Sequence, residues 1–493
     1  MTSSPEISIK LILALSVATA PLGAQAPAQS TPAGARIEAF FRRAAEYGQL
    51  NGAVLVADRG RIVYQHAFGD ADMEWHVPNT TDTRFEIASM TKPMTAIAIM
   101  QLVEEGRVRL DGHVSDYLPF YPKETGDRIT VDQLLAHTSG IQQDIAFADD
   151  PSEEPLAALV NADALSNDSL VRLIARRSLR FPPGTSFGYS SDGYAVLGAI
   201  LEHVTGTPYW QALEERVLRR AGMTETGVSR LGPLVPKRAA GYAQTFAGYE
   251  NAPHIGVSPA GGLYSTIRDL YRFDRALYGD TLVGEKSKAL LFAPRTVATA
   301  YGWKTAEEAR PGGSRRLVLR TTGGLPGFAA LMVRVPSSER VVIMLTNRRD
   351  LEWRLDDFAV QVGRILDGEP YAMPRRSAAE AVAAAALTGT RGPALRARFA
   401  AMRRDSARYD VSESAINQLG YFLLRRQRTP DAVEVFRLNT DAFPRSANAY
   451  DSLGEALLAA GDTVQGVASY RRSLELNPGN TNAAEVLRRV GAR

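Results

Sequence analysis

Ser89 stands three residues before Lys92, in the string Phe85-Glu86-Ile87-Ala88-Ser89-Met90-Thr91-Lys92-Pro93. A serine hydroxyl is a poor nucleophile until a neighbour takes its proton. A lysine can take it when burial, a second cation or the positive end of a helix lowers its pKa. An i, i+3 spacing puts the two side chains on one helical face, and Pro93 suits a first turn, where amide hydrogens are mostly unpaired. Only seven of the 57 basic residues are Lys (10, 92, 123, 237, 286, 288 and 304), so a Lys inside a motif gains weight. The pair alone is a weak signal, because chance produces S-x-x-K in about every second such chain.

Two further strings supply different chemistry. Phe181-Pro182-Pro183-Gly184-Thr185-Ser186-Phe187-Gly188-Tyr189-Ser190-Ser191 reads as a turn-rich loop leading into a helix. It presents Tyr189, a proton carrier to set beside Ser89 and Lys92. Thr321-Thr322-Gly323-Gly324-Leu325-Pro326-Gly327-Phe328 reads as a strand ending in a glycine-rich turn, where backbone can approach a ligand closely.

Three such pieces in this order resemble the serine β-lactamase and penicillin-binding-protein superfamily. The likeness is greatest to its class C β-lactamase-related branch, which also holds D-alanine carboxypeptidases, D-amino-acid amidases and esterases. Supporting strings are Leu110-Asp111-Gly112-His113-Val114, Leu134-Leu135-Ala136-His137-Thr138-Ser139-Gly140-Ile141 and Pro259-Ala260-Gly261-Gly262-Leu263-Tyr264-Ser265-Thr266. The resemblance spans about residues 36–368. It implies Ser89 as the acylated nucleophile, with Lys92 and Tyr189 sharing general-base and proton-shuttle work. The backbone N–H groups of Ser89 and Gly324 would form an oxyanion hole, and Ser191, Thr321, Thr322 and Gly323 would face the substrate. No cofactor and no metal are implied. Such oxyanion donors typically contribute about 2.7–4 kcal/mol each.

The chain departs from the family pattern twice. The second motif usually reads Tyr-x-Asn, and Ser191 stands at its third position. The third motif usually begins with Lys or His, and here begins with Thr321. A cation there helps bind a substrate carboxylate, so the change moves the expectation from β-lactams and D-Ala termini toward an esterase or another acyl hydrolase. Arg320 is adjacent, but alternation points it to the other face of a regular strand. A slowly acylating or inactive penicillin-binding sensor is the alternative.

Other signals are set aside on physical grounds. Gly184-Thr185-Ser186-Phe187-Gly188 matches a G-x-S-x-G elbow, but Pro182 and Pro183 do not fit the central strand it requires. His137 is assigned to a structural loop rather than to a base or metal ligand. The six His residues show no H-E-x-x-H pairing, and no phosphate-binding glycine loop appears in context. Asp149, Asp150, Glu153 and Glu154 read as a solvated acidic loop.

These residues need a frame. A β-hairpin is predicted over 51–68 around Asp58-Arg59-Gly60, and strands over 317–321, 329–335 and 340–345. Helices are expected over 91–105, 131–135, 170–176, 193–204, 266–278 and 352–366, with Thr266 and Asp269 spaced as a capping box. Strands at both ends and helices between them predict an α+β fold: one antiparallel sheet flanked by helices, with a helical subdomain.

The chain has 493 residues, 45% of them hydrophobic, a net charge of +3 and no Cys. The length predicts two to four domains, and the missing Cys excludes disulfides and thiol catalysis. After Pro374 there are 18 Arg, no Lys and 12 acids, a net of +6, against −3 for the rest. In this basic tail Ile416, Leu419, Gly420, Ala432, Phe436 and Pro444 recur 34 residues later as Tyr450, Leu453, Gly454, Gly466, Tyr470 and Pro478. The period resembles the tetratricopeptide repeat, an all-α module. Repeats are placed near 413–446 and 447–480, a capping helix at 481–493 and a degenerate helix pair at 377–410. The expected domains are therefore 36–372 and 376–493.

Lys10, the apolar run Leu11–Ala20 and Ala24-x-Ala26 read as a secretory signal peptide over residues 1–26, with a disordered lead-in at 27–35. The expected protein is periplasmic or secreted, without a stable membrane span after cleavage. Its partners are a small-molecule or peptide substrate and a protein at the repeats, and not nucleic acid.

Overall fold

The structure is a computed structural model. It describes residues 31–491 apart from 144–157, 159, 162, 164, 296–298 and 310–312. The signal peptide expected at 1–26 and the acidic run at 149–154 lie outside the described residues. The disordered lead-in expected at 27–35 is corrected where it is described: a helix opens at Pro32, capped by Thr31 Oγ1, which accepts the Gly34 N–H at 3.0 Å.

β1 (Gly52–Asp58) and β2 (Arg61–Phe68) form the expected hairpin. Its turn is only Arg59 and Gly60, both at positive φ (50° and 71°), a turn that matches the right-handed twist of the strands. Some 240 residues later β3 (Lys304–Ala309), β4 (Arg315–Leu325), β5 (Phe328–Val335) and β6 (Arg340–Thr346) complete one antiparallel sheet, in the order β3-β4-β5-β6-β1-β2. β3 has no counterpart among the predicted strands. The glycine-rich turn expected from Thr321 is corrected: β4 runs on through Gly323 and Gly324, which pair with Ala330 and Ala329. Only Pro326 and Gly327 turn.

Five helices frame the sheet: α1 (Pro32–Glu46), α2 (Thr91–Glu104), α3 (Ser191–Thr205), α4 (Ile267–Ala276) and α5 (Glu352–Asp367). Ile37, Phe40 and Phe41 of α1 and Leu355 and Phe358 of α5 cover one sheet face, over Val54, Val56, Leu331 and Met344. Each such side chain contributes about 1.5–3 kcal/mol on burial. The opposite face, with Ala53, Leu55, Met332 and Ile343, packs on the central helical region. α2 is buried almost all round, as expected of a helix at the centre of a domain. On α4, Thr266 accepts the Asp269 N–H (3.2 Å), but the return half of the expected capping box is absent. The Asp269 carboxylate instead accepts from the Glu225 N–H (2.7 Å) and Thr226 Oγ1 (2.8 Å), tying the helix to a neighbouring segment.

An all-helical stack follows: α6 (Ala378–Leu387), α7 (Gly392–Arg404), α8 (Glu413–Arg425), α9 (Thr429–Ala442), α10 (Ala447–Ala459), α11 (Thr463–Leu476) and α12 (Thr481–Arg489). The same joint occurs twice, 34 residues apart. A Cβ at Gly420 would enter the Phe436 ring, and one at Gly454 would come within 2.8 Å of the Tyr470 ring. Small residue and aromatic are thus one interlocking pair in each repeat. The stack touches the body through a hairpin (Tyr242–Thr245 and Gly248–Asn251). Phe246 at its tip packs edge-on against Phe422 of α8 at 5.3 Å, and Glu250 pairs with Arg426 at 3.4 Å.

Candidate active site

Ser89 sits in a single 3₁₀ turn, Ala88–Met90, that runs directly into α2. Ala88 before it has φ 46°, a left-handed conformation that costs a residue with a Cβ about 1–3 kcal/mol. The turn is gripped from two sides. A Cβ at Gly323 of β4 would strike the Ile87 carbonyl, and one at Gly261 would lie 3.3 Å from the Ala88 backbone. Both glycines are close-approach positions, which accounts for two of the quoted strings at once.

One helical turn on, Lys92 is 2% exposed. Its ammonium donates to Ser89 Oγ (3.0 Å), Ser191 Oγ (3.2 Å) and the Ala260 carbonyl (3.0 Å). It makes no ion pair among the described residues. A buried cation without a counter-ion is costly unless hydrogen-bonded. Here three acceptors match its three N–H bonds, and the rings of Tyr189 (4.9 Å) and Tyr194 (5.7 Å) add cation–π contact.

Tyr189 Oη lies 2.8 Å from Ser89 Oγ. Burial pushes its pKa up, but the Lys92 charge and the hydrogen bonding of Lys92, Ser89 and Ser191 outweigh that, so the phenol is held below the usual tyrosine range. Its place comes from the capping of α3. Ser190 is the N-cap, accepting the Gly193 N–H at 3.0 Å, which sets Tyr189 just outside the helix and Ser191 in its first turn.

The loop before Tyr189 is clasped to the segment after His137. The N–H groups of Arg180, Gly184 and Gly188 donate to the carbonyls of Gly140 (2.8 Å), Thr138 (2.7 Å) and His137 (2.9 Å), and Ser190 Oγ donates to the Gln142 carbonyl (2.8 Å). Ser186 is exposed on that loop and no strand precedes it, so no nucleophile elbow forms.

Together these groups line a cleft of about 650 Å³. Thr321, Thr322 and Gly324 of β4 form one side of it, and Gly323 does not: its close packing on Ile87 turns it away from the cleft. Phe187, Leu170, Ile255 and Leu325 supply apolar surface. The lip toward α5 carries Lys304, Arg320 and Arg349. Arg320 pairs with Asp356 of α5, on the face opposite Thr321 as alternation requires, and Arg349 pairs with Glu352. The Arg349 guanidinium occupies the space a Cβ at Gly324 would need. The quoted string held Ala260, but its carbonyl's role is visible only once Lys92 is placed. Lys304 and Arg349 carry no local signal at all. No group of three or more potential metal ligands occurs among the described residues.

Comparison with known proteins places the chain in a family. A profile of the Beta-lactamase family matches residues 37–362. Penicillin-binding protein 4* of Bacillus subtilis (strain 168) is 30% identical over 365 residues, 69% of this chain and 78% of that protein. Esterase EstB of Burkholderia gladioli is 35% identical over 200 residues, 39% of this chain and 51% of its own length. The crystal structure of a penicillin binding protein from Bacillus halodurans superposes with a TM-score of 0.55 at 28% identity, covering 64% of this chain and 98% of that one. The matched residues 37–362 span the sheet, the helices that frame it and the cleft, and this chain belongs to the Beta-lactamase family.

Proposed function

We propose that the protein is an exported serine hydrolase that works through a Ser89 acyl-enzyme on an ester, amide or peptide substrate. The observation that carries this reading is the convergence of Lys92 Nζ (3.0 Å) and Tyr189 Oη (2.8 Å) on one serine hydroxyl that lines the cleft. The Lys92 charge favours the Tyr189 phenolate, which takes the Ser89 proton as Oγ attacks the acyl carbonyl. The N–H groups of Ser89 and Gly324 receive the oxyanion. The proton then passes from Tyr189, with Lys92 beside it, to the leaving group. Water, deprotonated by the same pair, releases the acid and restores Ser89.

The substrate side points to esters first. Ser191 Oγ is held by Lys92 and lacks the amide of the usual Asn. Thr321 offers no charge. The likeness to esterase EstB supports the same choice. A slowly acylating sensor remains the second reading, motivated by the same two positions. Export rests on the apolar run Leu11–Ala20 after Lys10, and the repeats are assigned to a protein partner. No helix among the described residues is long and apolar enough to cross a membrane.

Labelling with a fluorophosphonate and a fluorescent penicillin, followed by the deacylation rate, tests the reading. Rapid ester turnover lost by at least about a thousandfold in Ser89→Ala is the expected result. Full activity in Ser89→Ala sinks the nucleophile assignment, and stable labelling without turnover favours the sensor.

A further inference from the structure

We propose that His137 is a positioning residue that holds Tyr189 against Ser89, acting as a neutral hydrogen-bond acceptor. The inference rests on the proton-carrying role given to Tyr189 above.

The two residues flanking Tyr189 are both bonded to His137. The Gly188 N–H donates to the His137 carbonyl (2.9 Å), and the Ser190 N–H donates to its ring Nδ1 (3.2 Å). Between those anchors the imidazole packs on the phenol itself, with ring centroids 4.6 Å apart at 34°. Tyr194 flanks it at 5.1 Å and Phe187 at 6.0 Å. One residue therefore controls both the chain entering and leaving Tyr189 and the face of its ring.

His137 holds a left-handed backbone (φ 57°) to do this. That region is uncommon for a residue with a Cβ, and His and Asn are enriched there. The strain is kept where it serves the neighbour rather than His137 itself.

The same geometry removes His137 from acid–base work. An Nδ1 that accepts leaves the proton of a neutral imidazole on Nε2, so neither nitrogen is free to take the Ser89 proton. Protonation of Nδ1 would set donor against donor at Ser190 and place a second cation beside Lys92. The charged and titratable groups facing the ring are Lys92, Tyr189 and Tyr194. Burial first, then the Lys92 charge, push the imidazole down to about 3, against a smaller opposing effect from the Ser190 bond. It stays neutral through the range in which a phenolate base would work.

The test compares wild type, Ser89→Ala, His137→Phe and His137→Asn in p-nitrophenyl ester hydrolysis between pH 5 and 10, with circular dichroism on each. Phe keeps a ring and removes the acceptor. Asn tolerates the backbone and returns an acceptor. His137→Phe is expected to lower kcat about a hundredfold, with KM within a few-fold, and to displace the pH limb of Tyr189. His137→Asn is expected to recover to within about fivefold of wild type. Wild-type kcat and an unmoved limb in folded His137→Phe overturn the proposal. So does a folded His137→Asn no better than His137→Phe. If His137→Phe does not fold, His137→Gly replaces it, since Gly accepts the backbone and lacks the acceptor; wild-type kcat in that variant is likewise fatal. The Ser89→Ala control separates the two claims. Activity retained there refutes the hydrolase reading, whereas a dead Ser89→Ala beside an unimpaired His137→Phe refutes the positioning role alone.

Discussion

The Beta-lactamase-family body and the helical stack solve opposite problems with the same kind of contact. In the body, glycine lets backbone approach backbone: Gly323 of β4 meets Ile87, more than 230 positions away, and the result is a strained turn that presents Ser89. In the stack, glycine lets an aromatic ring fill a gap 16 positions away, Gly420 with Phe436 and Gly454 with Tyr470, and the result is a repeat. The first contact fixes the turn that holds Ser89. The second only builds a stable joint, and it is built twice because nothing at it has to be unique.

That difference predicts how each region fails. Lys92→Ala should lower kcat/KM by about 10²–10⁴-fold while leaving the stack intact. Activity that depends on the Tyr189 phenolate rises with pH through its depressed pKa, and loss of the cation moves this limb to higher pH. A pH–rate profile of the variant checks it, and an unmoved limb would break the pairing of Lys92 with Tyr189.

Acid should separate the two regions next. His137 is neutral when folded, with a pKa near 3, and takes up a proton when unfolded, near its ordinary 6.5. The unfolded chain then binds more protons, so body stability is full above about 6.5 and falls toward about 3, by at most about 1.4 kcal/mol per pH unit. Urea midpoints followed between pH 7 and 4.5 measure the slope. His137→Asn, which does not titrate, should flatten it.

Gly420→Leu should act in the reverse sense. Its side chain has no room beside Phe436, and overpacking of this kind costs about 1–3 kcal/mol. The helical stack should melt earlier, read as a separate early loss of helical signal, while fluorophosphonate labelling of Ser89 stays at the wild-type rate. Slowed labelling would show that the stack supports the cleft.

The smallest effect belongs to the bridge between the regions. Arg426 and Glu250 are both substantially exposed, and surface pairs are worth about 0–1 kcal/mol. Arg426→Ala should shift the melting temperature little, and less again at high salt. A large shift would mean that the hairpin contact, Phe246 on Phe422 included, is a main support rather than a rim.

Much of the fold was legible because its signals are local. β1 is a continuous apolar run joined to β2 by a two-residue turn, the helix over Val131–Leu135 falls where expected, and the 34-residue period marks the helical stack. β3 leaves no mark in the sequence because Lys304–Ala309 is a largely polar edge strand with no apolar alternation. The segment after Thr321 reads as a turn because Gly323 and Gly324 look like loop formers. Their lack of a Cβ is used instead by Ile87 on one side and Arg349 on the other.

From residue types and spacing alone came Ser89 with Lys92 on one helical face, Tyr189 at the mouth of α3, the repeat period and the charge boundary near residue 375. Each depends on neighbours within a turn or two of the chain, or on a period the chain itself repeats. The sequence could not say which acceptors hold the Lys92 ammonium, that Gly323 faces Ile87 rather than the cleft, or that His137 braces the phenol. Those depend on which segments a folded sheet and a buried helix bring within about 3 Å, and hydrogen bonds and electrostatics at that range are set by tertiary packing.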